Sequence, residues 1–244
     1  MTKTETFAKE LEYIQNDDIK SFLALALNNL PDYFFEVAAS STGKYHPQYA
    51  LGDGGLVRHT KAAARFANHL LGIEQFKNQF TDRERDLIIV AIILHDGWKH
   101  GENGGAFTTF EHPVVCAEWV KNTETLKGFI NEEELNMISN AIASHMGEWN
   151  TNKKSSTTLP KPSDKIGKFV HMCDYLASRK DIEVLFDEEE QAPPIDINTY
   201  TLPFGKHKGE TLVQIAESDP SYIAWAKENM NKEPIKSLLK QLGD

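Results

Sequence analysis

The stretch IILHDGWKHG, residues 92–101, sets two ionisable groups directly behind an apolar run. Leu87 to Leu94 reads LIIVAIIL, His95 and Asp96 follow it, and Lys99 comes three residues later. An imidazole and a carboxylate at the edge of a dry interior cost free energy unless hydrogen bonds or a metal ion compensate them. The same chemistry recurs in three other segments. His59 lies on the stripe Leu56, Ala63, Ala67 and Leu70, and His145 extends Leu135, Ile138 and Ile142. Asp174 falls among Ile166, Phe169, Val170, Cys173 and Ala177, four residues after Val170 and three before Ala177. A single histidine on an apolar face is usually a hydrogen-bonded core residue. Four segments that each bring such a group to a core-facing edge are better explained together, because neutral imidazoles and carboxylates are the ligands of a borderline divalent metal. His112, just before Pro113, is a weaker case on pattern alone. His46, His69, His100, His171 and His207 show no comparable placement and are expected to be structural or surface groups. No Ser or Cys with a partnering base suggests a covalent nucleophile.

These residues need helices to position them. Asp17 or Asp18 is expected to cap a helix through Leu27, and Pro31 to open another through Ala39. KYHPQYALGD, 44–53, reads as a loop, followed by a long helix from about Gly55 to Gly72. Thr81 and Glu84 form a T-x-x-E capping box for the helix that ends near His95. Pro113 starts a helix after the glycine-rich GENGGAF, and segments 131–146 and 163–180 follow, with Asn131 and Ser163 as expected caps. No strand and no internal repeat is legible in this part. DEEEQAPPIDIN, 187–198, reads as a linker. Beyond it comes a short extended piece, a Gly-Lys turn and amphipathic helices. The expected organisation is a helical metal-binding domain over 1–186, a linker over 187–199 and a small C-terminal module over 200–244, packed on the first because its own core is thin.

The 244 residues, 40% hydrophobic and 25% charged, suffice for a sizeable core. The charged, amphipathic N-terminus MTKTETFAKELEYI is neither a secretory signal nor an anchor, and no apolar run approaches the ~18 residues of a membrane helix. Cys116 and Cys173, in helical apolar patterns, fit buried free thiols in a reducing cytoplasm. The net charge of −10 argues against a general nucleic-acid coat protein, yet residues 150–180 hold seven Lys or Arg against two acids. Such a stretch is either solvated surface or a receiver of phosphates.

The ordered set H…HD…H…H…D now carries a resemblance. With GGLVRHT at 54–60, LHDGWK at 94–99, EHP at 111–113, ASHMGEW at 143–149 and MCDYLASR at 172–179, the chain resembles the HD-domain metal-dependent phosphohydrolase superfamily. Within it, the HD domain of bacterial 3′–5′ exoribonucleases is the most similar type. The likeness covers roughly residues 50–180 and implies an all-α helical bundle around a metal site. It also implies that His59, His95, Asp96 and Asp174 hold one divalent ion. Asp96 would bridge to a second ion held by His112 and His145, with manganese, iron, nickel or cobalt expected and magnesium also admissible. Lys99 matches the lysine of the HD-x-x-K form and is expected, with Asp96, to serve catalysis by contacting the scissile phosphate. Two departures stand out: HD-G-W-K replaces the usual HD-I-G-K, and SHMG replaces SHHG, so Met146 cannot be a ligand.

LPFGKHKGETLVQIAESDPSYIAWA, 202–226, resembles a small module at the end of exonuclease X-type proteins. Gly205 and Gly209 permit a tight turn from which Lys206 and Lys208 project, an arrangement that holds a phosphate or is simply solvated. Tyr222 and Trp225 are the groups expected to dock the tail on the main domain if its role is stability alone. The expected function is hydrolysis of a phosphoester in a nucleotide or single-stranded nucleic acid, in the cytoplasm, with no membrane partner. The alternatives are a di-iron oxygenase using the same ligand set and a metal-stabilised module without catalysis. Oligomeric state is left open.

Overall fold

The computed structural model describes residues 2–40, 46–182, 184, 195–230 and 234–242. Two single-turn helices, α1 (Lys3–Thr6) and α2 (Ala8–Leu11), precede α3 (Asp17–Asn29). The long α4 (Gly55–Gly72) is followed by a single turn, α5 (Glu74–Lys77), and then by α6 (Asp82–Leu94). The bundle is completed by α7 (His112–Asn122), α8 (Glu132–Ser144) and α9 (Lys165–Ala177). Three short helices close the chain: α10 (Leu212–Ser218), α11 (Pro220–Asn229) and α12 (Ile235–Gln241). Among the described residues there is no strand, only isolated bridges at Thr151–Thr158 and Thr201–Thr211. The fold is all-α, as the resemblance implies.

The helix ends follow local chemistry. Thr81 with Glu84, and Asn131 with Glu134, make complete capping boxes. Elsewhere the cap is one residue from the expected one. Asn16, not Asp17 or Asp18, accepts from Ile19 N, and Asp164, not Ser163, accepts from Gly167 N at 2.7 Å. Neighbouring polar residues compete for these posts, and the winner is the one with extended backbone immediately before the first turn. Pro31 opens only a 3-10 turn, Asp32–Phe35, instead of a helix through Ala39.

α6 is the axis of the bundle. Every residue from Leu87 to Leu94 is buried, and α6 packs against α3, α4, α8 and α9. Full burial of an aliphatic side chain contributes roughly 1.5–3 kcal/mol, so this segment alone anchors the helix strongly enough to hold polar groups at its end. α7 lies along α8, and α4 along α9. Cys116 and Cys173 are buried free thiols, and burial raises the pKa of each. No described helix is long and apolar enough to cross a membrane.

A second, separate apolar cluster joins Leu202, Leu212, Ile215, Ile223 and Ala226 to Ile235, Leu238 and Leu239. The tail thus has a core of its own. Trp225 is half exposed and tilts against Tyr222, whose ring meets His207 edge-on, so this indole does not pack the tail onto the bundle. The tail meets the bundle where Ile195 approaches Gly52 and where Lys208 lies over the Phe107 ring at 5.2 Å. Most of the linker expected over 187–199 lies outside the described residues.

Candidate metal centre

Helix ends, not helix middles, deliver most of this centre. His95 caps the C-terminus of α6, His145 caps that of α8, and His112 is the first residue of α7. In each of the three, Nδ1 meets the backbone carbonyl three residues earlier. His95 Nδ1 is 2.6 Å from Ile92 O, His112 Nδ1 2.7 Å from Thr109 O, and His145 Nδ1 2.8 Å from Ile142 O. A carbonyl only accepts, so each Nδ1 carries the proton and donates it, which leaves the Nε2 lone pair aimed inward. Thr109 is itself drawn to the HD turn by its N–H bond to Lys99 O, at 2.9 Å, and this brings His112 over Asp96.

Asp96 stands in the middle with one oxygen to each side. Its Oδ1 lies 3.0 Å from His112 Nε2 and 3.7 Å from His145 Nε2. Its Oδ2 lies 3.3 Å from His95 Nε2 and 3.9 Å from His59 Nε2, and the Lys99 ammonium donates to it. Asp174, from α9, puts Oδ1 3.0 Å from His59 Nε2 and 3.5 Å from His95 Nε2. All six residues expected as ligands therefore meet at one place. Two triads, His59–His95–Asp174 and His95–Asp96–His145, have ligand-type atoms within 4.8 Å of one another.

The centre is a meeting of acceptors. With the Nδ1 protons of His95, His112 and His145 committed to carbonyls, these three imidazoles, when neutral, have nothing to donate to Asp96. Accordingly, His95 Nε2 and Asp96 Oδ1 are buried without a hydrogen-bond partner among the described residues. Lone pairs facing one another at such distances require a cation between them. In the absence of metal a proton serves. Burial pushes the His95 imidazole down, but the carboxylates of Asp96 and Asp174 outweigh it and raise the pKa to about 10. Burial and the neighbouring positive His95 push His145 down to about 3. Burial would raise the Asp96 carboxyl, but Lys99, His95 and the His112 contact hold it well below the usual carboxylate range. The donor set, the fixed tautomers and the orphaned atoms all fit divalent metal.

Two glycines admit this packing. A Cβ on Gly97 would come within 2.7 Å of Leu30 Cδ2 and 3.1 Å of Leu94 O, so a larger residue after Asp96 would require Leu30 to shift. Gly147 has a φ of +58°, and a Cβ there would strike the His171 ring at 2.2 Å. His171 Nδ1 instead reaches His145 O at 2.7 Å.

His171 is thus more than a surface group, and so is His46, whose ring meets that of His59 edge-on at 5.1 Å. Burial and the neighbouring His59 push the His46 imidazole down to about 3. Neither was expected at the centre, because His46 sits in a loop without period and His171 lies off the apolar stripe of α9. His69 is exposed, and His100 stacks on Tyr33, as structural and surface groups should. Lys206 and Lys208 are not part of the centre: Lys206 Nζ donates to Asp219 Oδ2 at 2.8 Å, and Lys208 rides on Phe107.

Comparison with known families agrees with this arrangement. The HD domain model matches residues 56–179, which hold all six of these histidines and aspartates, and the Exodeoxyribonuclease X-like C-terminal model matches residues 202–231. No curated protein and no solved structure gives a match. The half of the chain that builds the centre places it in a metal-dependent hydrolase superfamily: the chain belongs to the HD domain family.

Proposed function

We propose that this chain is a metal-dependent phosphohydrolase that cleaves a phosphoester bond of a nucleotide or of a single-stranded nucleic acid. The observation that carries the reading is the convergence of acceptor atoms around Asp96, with three imidazole tautomers fixed by backbone carbonyls. His59, His95, Asp96 and Asp174 would hold one divalent ion, and Asp96, His112 and His145 a second. Manganese, iron, nickel and cobalt suit the imidazole-rich set best, with magnesium a poorer match. When bound, such a pair supplies Lewis-acid polarisation of a phosphoryl oxygen and an activated water.

The protein's own contribution is orientation and charge. Asp96 offers one oxygen to each side, and the Nδ1–H bonds keep the imidazole planes from turning. Lys99, buried beside Asp96, presents the ammonium that stabilises charge on the phosphoryl group. Lys206 and Lys208 would bind phosphates farther along a longer substrate. Lys208 already lies over the loop that leads to His112, while Lys206 would exchange Asp219 for the substrate. The exodeoxyribonuclease X-like tail favours nucleic acid as the substrate class.

Protein prepared with Mn²⁺, Fe²⁺ or Ni²⁺ should contain about two ions per chain by elemental analysis and hydrolyse members of a phosphomonoester and phosphodiester panel. His112→Ala should lower the content to about one ion. A chain that stays metal-free after reconstitution sinks the reading. An iron-loaded chain that consumes dioxygen and turns over no phosphoester replaces it with the oxygenase.

A further inference from the structure

The metal centre is closed on almost every side. His59, His95, Asp96, His112 and His145 are each at most 2% exposed, whereas the Asp174 side chain is 20% exposed. Of the six ligand-type residues, Asp174 has the most exposed side chain. Beside Asp174 in the chain, and across from it in the turn after α8, stand aromatic rings. Tyr175 is the next residue on α9, and Trp149 follows His145 by four residues in the turn after α8. Their rings are parallel, with centroids 5.6 Å apart and planes only 6° from one another. Both are exposed, Trp149 by 45% and Tyr175 by 36%. On the Tyr175 ring sits the Arg179 guanidinium, 4.4 Å from the centroid. The His171 ring lies 6.0 Å from that of Trp149, and its Nδ1 bonds His145 O, which ties the platform to a residue of the centre.

Core packing does not account for two large parallel aromatics that remain this exposed. A single exposed aromatic is ordinary, but a stacked pair with a cation on it, beside a polar centre, is a ready-made face for a flat ring. The charge selects which flat ring. Arg179 donates only to Ser178 Oγ and has no carboxylate partner among the described residues. Lys180 and Lys168 add positive charge from the same segment. An aromatic face with cations beside it suits a base that carries a phosphate, since every base has a π-face and every nucleotide an anion.

We infer that Trp149, Tyr175 and Arg179 form a nucleobase-stacking subsite beside the centre, which holds the base of the nucleotide whose phosphate reaches Asp174. The inference rests on the phosphohydrolase reading and names the part of the substrate that this site recognises. A free nucleotide and the end of a single strand share this chemistry.

The test is equilibrium binding to the full-length chain in chelator, so that turnover does not consume the probe. Fluorescence polarisation is read with a labelled single-stranded hexa-adenylate and with a labelled abasic hexamer of equal charge. A stacked base contributes about a tenfold gain in binding, so the hexa-adenylate should bind about tenfold more tightly than the abasic strand. Trp149→Ala should collapse that difference, and Trp149→Phe should keep most of it. Equal binding of the two strands by the native chain overturns the subsite, as does a difference that survives Trp149→Ala. Competition by adenosine monophosphate but not ribose 5-phosphate assigns the subsite to free nucleotides, and competition by strands alone assigns it to a strand end. Either upholds it. Failure of phosphoester turnover would leave this binding difference standing, and intact turnover without the difference removes the subsite alone.

Discussion

Two clusters in this molecule are built from the same residue types. Around Asp96 there are imidazoles, carboxylates and Lys99; around Asp219 there are His207, Glu210 and Lys206. In the tail the central carboxylate is surrounded by donors. His207 Nδ1 faces Glu210 at 3.2 Å, its Nε2 faces Asp219 at 3.2 Å, and Asp219 also accepts from Lys206, Ser221 and the Tyr222 amide. Donors meet acceptors, and Asp219 caps α11 as well. Around Asp96 the protons of three imidazoles are spent on backbone carbonyls, so acceptors face acceptors. The first arrangement is complete without a ligand and the second is not. Residue type alone does not separate a candidate metal centre from a surface network; the direction of the hydrogen bonds does.

The comparison breaks most visibly at Asp96. Asp96→Ala should abolish metal binding and bring phosphoester turnover below detection. It leaves the buried Lys99 ammonium unpaired, and loss of one partner of a buried ion pair costs about 3–5 kcal/mol in urea unfolding. If the variant retains its metals by elemental analysis, the carboxylate is no bridge.

Lys99→Ala should lower turnover of a phosphodiester about 10²-fold with metal content unchanged, as for the loss of one oxyanion-type contact. Unchanged kcat would make Lys99 only a counter-charge to Asp96 and bring the two clusters closer in kind.

The smallest effect is expected in the tail. Asp219→Asn should lower the melting temperature slightly and leave metal content untouched. Its carboxyl is held well below the usual range, first by the Lys206 hydrogen bond and then by Ser221, the Tyr222 amide and His207. A depressed folded pKa contributes stability above the ordinary Asp value of about 3.9 and loses it as pH falls through that value toward the folded one. The gap between native and variant melting temperatures should therefore be widest near neutrality and close in acid. A gap independent of pH, or a loss of metal, would contradict the separation of the two clusters.

Much of this was legible in the sequence, for a physical reason. His59, His145 and Asp174 continue apolar stripes, and a 3.6-residue period states which face of a helix is inward. His112 was weak on pattern because its burial comes from a bond to Thr109 O, a matter of turn geometry and not of period. The caps at Thr81 and Asn131 were readable because a capping box has two halves in fixed register, whereas Asn16 and Asp164 had equally suitable neighbours. Long-range pairing was the least accessible. Lys206 finds its partner 13 residues away, and Trp149, in the turn after α8, finds Tyr175 on α9, with no local signal for either.

The bond between a histidine Nδ1–H and the carbonyl three residues before it has a consequence for which changes in chain length the protein tolerates. In α6 and α8 that bond both satisfies a terminal carbonyl and orients the imidazole, so helix length and ring direction are a single variable. A residue inserted within α6 or α8 would turn the helix end by about 100° and swing the ring away from Asp96. Insertions in 102–107 or 151–157, by contrast, only lengthen surface connections, where each doubling of length costs only about 0.6 kcal/mol. Length variation that preserves the centre is therefore confined to the loops, and the spacing from each cap to its histidine is fixed.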